Sequence, residues 1–171
     1  MKTYKFYLNA CEYFLNLSNF PKMSRDESEY HNVAATLLSW MCFESYVNAL
    51  CDSLSKGTRL NDHQRLFLTE KELTVDDEGR FKEITIRPST LKKLIFMIEH
   101  FSSLDAKQYK QTDQWSDLQA FEDLRNKIVH HKEINDFKID QKKATECRDL
   151  ADASIKDFNH VFTQVRASAK R

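Results

Sequence analysis

Asp123-Leu124-Arg125-Asn126-Lys127-Ile128-Val129-His130-His131 closes a segment whose apolar residues recur at helical spacing, and its reading decides the fold. With Leu118 at the centre of a helical wheel, at about 100° per residue, Trp115, Phe121, Leu124, Ile128 and Val129 spread over one broad apolar arc. Arg125 follows Leu118 by one heptad and so points into that arc. A guanidinium there has to be paired or hydrogen-bonded, because an unpaired buried charge is strongly unfavourable. Asn126 and His130 are four residues apart and share the edge of the arc. A plainer account exists: Arg, Lys and His at the end of a helix complement its dipole. Arg125 lies on the wrong face for that role, and Asn126 is an indifferent helix former inside a strong helix.

Outward from this segment the same periodicity recurs. Tyr4, Tyr7, Leu8, Cys11, Phe14 and Leu15 predict a helix over Tyr4 to about Asn19, broken at Phe20-Pro21. Ser24 and Glu27 form a capping-box pattern that opens a long helix, predicted to run to Lys56 and to stop at Gly57 as a left-handed cap. Its apolar positions include Val33, Leu37, Trp40, Met41, Val47, Leu50, Cys51 and Leu54, and Glu44 falls among them as a second misplaced charge, opposite in sign to Arg125. A short helix within Thr58–Lys71 and a β-hairpin over residues 72–87, turning at Asp76-Asp77-Glu78-Gly79-Arg80, follow. Pro88 and Ser89 open a helix from Thr90 to about Leu104; residues 105–112 read as a polar loop. Asp140 caps a last helix reaching about Ala167. The expected fold is all-α: an antiparallel bundle of four to five long helices with a small hairpin insertion, in a single domain over residues 1–171.

Composition supports this. The chain has only two Gly and two Pro, and its 26 Lys and Arg balance 26 Asp and Glu. Zero formal net charge advertises no global affinity for nucleic acid, so any RNA site has to be a local patch. Cys11, Cys42, Cys51 and Cys147 form no C-x-x-C pair and sit in apolar-periodic segments, as small buried thiols in a reducing compartment do. Neither a leader-like apolar core nor a run of membrane-spanning length is expected, which places the chain in the cytoplasm.

The remaining chemistry is sparse. His130 and His131 are adjacent and cannot chelate one ion together on a regular helix, and His31, His63, His100 and His160 are scattered. No metal or other cofactor is expected. Trp40, Trp115 and Tyr109 could stack bases, though their apolar neighbours favour the core for the tryptophans. Lys127 and Lys132 could touch phosphate or simply hydrate a helix end. Glu122 can pair locally with Arg125 or Asn126.

Arg125-Asn126-x-x-x-His130, with Leu124 before it and Ile128-Val129 within it, resembles the motif of the HEPN superfamily, helical bundles of prokaryotic toxin and defence systems. Phe43-Glu44-Ser45-Tyr46-Val47-Asn48-Ala49-Leu50 resembles the aromatic-acid-aromatic run that many members carry on their second long helix. The resemblance implies a metal-independent endoribonuclease in which two protomers pair their motifs across one cleft, and an antitoxin or regulatory protein as a further partner. It assigns catalysis to Arg125, Asn126 and His130, support to Glu44, Glu122 and His131, and RNA contact to Lys127 and Lys132. His131 also satisfies the motif spacing, but on a helical wheel it falls away from Asn126. Where some members carry a Tyr after the histidine, this chain has Lys132, Glu133 and Ile134. Many relatives keep the fold without the nuclease, so a non-catalytic dimerisation or partner-binding module is the alternative, and a nucleotide or modified-RNA sensor is a third.

Overall fold

The computed structural model describes residues 3–57, 60–130 and 138–168, with side chains described as far as Thr163. Seven helices and one hairpin succeed one another: α1 (Thr3–Ser18), α2 (Arg25–Ser55), α3 (Asp62–Leu68), β1 (Lys71–Val75), β2 (Phe81–Thr85), α4 (Thr90–Phe101), α5 (Ala106–Tyr109), α6 (Asp113–His130) and α7 (Gln141–Ser168). The fold is all-α with a small antiparallel hairpin.

Helix α2 is the axis of the bundle. The Ser24 and Glu27 capping box forms as the sequence indicates, with each side chain meeting the other residue's backbone N–H. Its buried side is wide enough to hold polar residues. Thr36 and Ser39 donate their hydroxyls to the carbonyls of Asn32 and Ala35 at 2.9 and 2.8 Å, so burying them leaves no donor orphaned. Contacts along α2 fix the direction of its neighbours. Tyr4 meets Tyr46 and Phe14 meets His31, so α1 runs antiparallel to it. Trp40 packs edge-on against Phe121 at 5.2 Å while Ile128 packs near Ala35, so α6 is antiparallel as well. Helix α4 is parallel to α2: Glu44 meets Thr90, Asn48 meets Lys93 and Cys51 meets Met97. The connection from Lys56 to Ser89 is long enough to carry the chain back to the other end of α2, which a short loop cannot do.

The main core joins Trp40, Phe43, Tyr46 and Val47 of α2 to Leu94 and Ile98 of α4, Leu118 of α6, and Ile155, Phe158 and Phe162 of α7. A smaller cluster around Cys11, Leu15, Ala35, Ile139 and Ala144 closes the opposite end. All four thiols are free and buried.

Two local expectations change. Gly57 ends α2 without a left-handed φ; Lys56 caps the helix in a right-handed conformation. Residues 105–112 contain the short helix α5, capped by the Asp105 side chain at the Gln108 N–H and anchored by buried Ala106 and Tyr109. The left-handed position falls instead on Glu70 (φ 58°), between α3 and β1. Its carbonyl accepts the Ile86 N–H at 2.8 Å, and its carboxylate pairs with the ammonium of Lys93. Asn48 accepts a second hydrogen bond from that ammonium at 2.8 Å.

This contact ties the hairpin to the bundle across a side chain only 9 % exposed at Lys93 and 41 % at Glu70. Glu70→Ala is expected to cost about 2 kcal/mol, less than the roughly 3–5 of a fully buried pair because Glu70 is half in water. Adding Lys93→Met should recover most of the loss in urea unfolding. A double variant no more stable than Glu70→Ala would show that the ion pair is not what holds this junction.

The hairpin matches its sequence signals. Val75 pairs with Phe81 and Lys71 with Thr85. Gly79 (φ 77°) supplies the left-handed residue of the turn, and the Asp76 carboxylate accepts the Glu78 and Arg80 N–H groups.

Candidate active site

Helix α6 buries Trp115, Leu118 and Phe121 and then rotates its buried stripe. Beyond Phe121, contact with the core passes to half-buried Leu124 and Ile128, while Val129 is 49 % exposed. On a wheel of about 100° per residue the inward direction shifts from Leu118, midway between Trp115 and Phe121, to between Leu124 and Ile128. Arg125 is left at the margin, half-buried instead of central to the arc. A straight helix slips about 20° per heptad, so Arg125 does not repeat the inward direction of Leu118 one heptad earlier.

Arg125 donates from Nη1 to Oδ1 of Asn126 at 3.0 Å. Asn126, Lys127 and His130 are exposed, and His130 is the last described residue of the helix. Lys127 places positive charge at the carbonyl end of α6, as the dipole favours, with the imidazole of His130 in the same last turn. The structure thus brings Arg125, Asn126 and His130 to one outer end of α6. His131 and Lys132 lie outside the described residues.

Glu44 and Glu122 both end on the first turn of α4. Glu44 Oε1 accepts the Thr90 hydroxyl at 3.3 Å, and the Glu122 carboxyl accepts the Leu91 N–H and the Ser89 hydroxyl. Free N–H groups and the positive end of the helix dipole draw carboxylates to this place. Among the described residues Glu44 makes no ion pair with Arg125. The guanidinium is oriented by Asn126, and its nearby carboxylate is Glu122.

Burial pushes the Glu122 carboxyl above its ordinary value of 4.5, an effect opposed by the Leu91 and Ser89 hydrogen bonds, reinforced by Asp123 and opposed again by Arg125. For an acid whose folded pKa is raised, the stabilising contribution is complete below the unfolded value and is lost as pH rises through the folded one. Glu122→Gln lacks this loss. It is expected to gain on the parent protein as pH rises from below 4.5 to neutrality, read as urea midpoints. A difference independent of pH would place the Glu122 carboxyl in solvent.

Other reactive groups are accounted for by packing. Trp40 and Phe121 are core residues, and Tyr109 is buried, donating its hydroxyl to Gln114 at 3.2 Å. Burial pushes the Cys42 thiol up to about 12 and those of Cys51 and Cys147 up to about 11, so none is a ready nucleophile. Among the described residues no three His, Cys, Asp or Glu side chains gather into a group that could hold a metal ion. No helix among them is long and apolar enough to cross a membrane.

The motif reading missed a row on α4. Lys92, Phe96 and His100, spaced four residues apart, share a face that looks toward α6. The signal was the repeated four-residue step of basic and aromatic residues, hidden by the apolar stripe of the same helix. Comparison of this chain with protein-family models, with curated proteins and with solved structures finds no match.

Proposed function

We propose that the chain is a metal-independent endoribonuclease of toxin or phage-defence type, acting as a homodimer with a composite Arg and His site in the cytoplasm. One observation carries the reading: the Arg125 guanidinium is held by Asn126, with His130 one turn further along the exposed end of α6. In RNA cleavage the 2′-oxygen attacks the adjacent phosphorus and the bond to the 5′-oxygen breaks, leaving a 2′,3′-cyclic phosphate and a 5′-hydroxyl. One group must take the 2′-proton and another must protonate the departing oxygen. Imidazole suits both tasks near neutral pH. A guanidinium fixed in place stabilises the charge gathering on the phosphate. One protomer has one such set; a two-fold pair of motif helices brings two. Val129, exposed beside the motif, is an apolar contact available to that pairing.

Incubating purified protein with total RNA, with and without chelator, tests the activity. The expected result is fragments with cyclic phosphate ends, undiminished by chelator. Intact RNA, or cleavage abolished by chelator alone, rejects the proposal. Sedimentation at micromolar concentration should show a dimer, and a monomer throughout would remove the composite site.

The non-catalytic reading has one observation of its own. Leu73, Val75 and Phe81 lie on one face of the hairpin and are exposed, Phe81 to 77 %. A module that works only by docking would lose partner binding when these residues change, and would have no activity for Arg125→Ala to remove.

A further inference from the structure

Between α4, α5 and α6 lies an open groove of about 760 Å³. Leu91, Phe96 and Trp115 line its floor; Lys92, Lys107 and Lys110 stand exposed around it. The ring of Phe96 lies between Phe67, with centroids 4.2 Å apart and planes at 31°, and His100 at 4.5 Å. The ammonium of Lys110 is 6.0 Å from the centre of the Trp115 ring. Gln119 and Glu122 of α6 close the side that leads to the motif.

We infer that this groove is the track of single-stranded RNA, with bases laid against the exposed ring of His100, which Phe96 backs, phosphates on Lys92, Lys107 and Lys110, and the strand continuing along α6 to Asn126 and His130. The ligand class rests on the ribonuclease reading; the path rests on three observations of its own.

The first is continuity. Trp115, Gln119 and Glu122 line the groove, and at about 100° per residue Asn126 and His130 fall with them inside an arc of about 80°. Along the helix His130 stands only about 12 Å beyond Glu122. One face of α6 therefore serves both groove and motif. The second is charge. Lys56, Lys71, Lys142 and Lys156 pair with carboxylates, and Lys5, Lys22 and Lys82 stand singly, whereas the groove gathers three lysines at one opening. Among the described residues Lys92, Lys107 and Lys110 make no ion pair, so three cations face one opening on a chain of zero net charge. Glu99 and Glu122 oppose them, but Glu122 is already engaged by Leu91 and Ser89. The third is the aromatic surface, which takes any base by its flat face and needs no sequence-specific contact.

The test measures binding of a short single strand of 2′-O-methyl RNA, which cannot be cut, to the full chain by fluorescence anisotropy. The triple variant Lys92→Ala, Lys107→Ala, Lys110→Ala should bind at least tenfold more weakly. Its slope of log affinity against log salt should fall by about two, the counterion release of three phosphate contacts on a single strand. His100→Ala should weaken binding several-fold without changing that slope. Lys56→Ala with Lys156→Ala, away from the groove, should bind as the parent does. All of these positions are exposed, and circular dichroism checks that each variant is folded. Unweakened binding by the triple variant overturns the inference, and if unmodified RNA is still cut in an Arg125-dependent way the nuclease reading stands without it. If the triple variant loses the strand while the parent never cuts unmodified RNA, the groove stands and the nuclease reading falls. Displacement of the strand by an acidic peptide that binds more tightly and also depends on the three lysines would assign the groove to a protein partner and overturn the inference as well.

Discussion

Arg125→Ala and His130→Ala are each expected to lower RNA cleavage by roughly two to four orders of magnitude while leaving the protein folded. Loss of a group that transfers a proton removes about 10²–10⁴ in rate, and loss of one fixed donor to a developing anion removes about 10²–10³. Neither side chain belongs to the core: Arg125 is half-buried, hydrogen-bonded to its neighbour Asn126, and His130 is exposed at the end of α6. Their unfolding midpoints should therefore stay close to the parent value. Asn126→Ala should lower activity less, since the guanidinium keeps its charge when its 3.0 Å acceptor is removed and loses only its orientation. The same assay applied to His131→Ala decides the register. A larger loss there than at His130 transfers the proton-moving role to His131. Alanine variants that unfold, with no cleavage in the parent, would make Arg125 a structural charge and favour the docking-module alternative.

Phe43→Ala should be the most damaging core substitution, costing about 3–5 kcal/mol. Phe43 is fully buried on α2, with Trp40 at 5.8 Å and Phe158 of α7 at 6.5 Å between ring centroids. Truncation leaves a cavity where α2 and α7 meet, and the flanking rings belong to helices that other contacts hold in place. Against a typical total stability of about 5–15 kcal/mol this is a large share. Urea unfolding should show a lower midpoint with little change in slope. A loss under about 1 kcal/mol would mean that α2 is not the axis around which the bundle packs. Phe43→Leu, which keeps most of the volume, should be far milder.

The sequence by itself determined the elements and much of their limits. Each long helix announces itself by apolar spacing, and three of them announce their start by a side chain that meets the backbone N–H three residues on: Ser24 for α2, Ser89 for α4, Asp140 for α7. The hairpin is likewise local, because its turn needs a left-handed residue and Gly79 supplies it. The burial of the four cysteines was legible for the same reason. Tertiary structure decided what depends on which element comes alongside. The left-handed φ lies at Glu70, not Gly57, because the Lys93 ammonium and the Ile86 N–H hold Glu70 there from elsewhere in the chain. Residues 105–112 became partly helical because Ala106 and Tyr109 found a core to enter. Glu44 and Glu122 met at the N-terminus of α4, a site that exists only once three helices are packed. Arg125 came to lie at the margin because beyond Phe121 the core contacts of α6 pass to Leu124 and Ile128, and a helical wheel holds no information about the direction from which the neighbour comes.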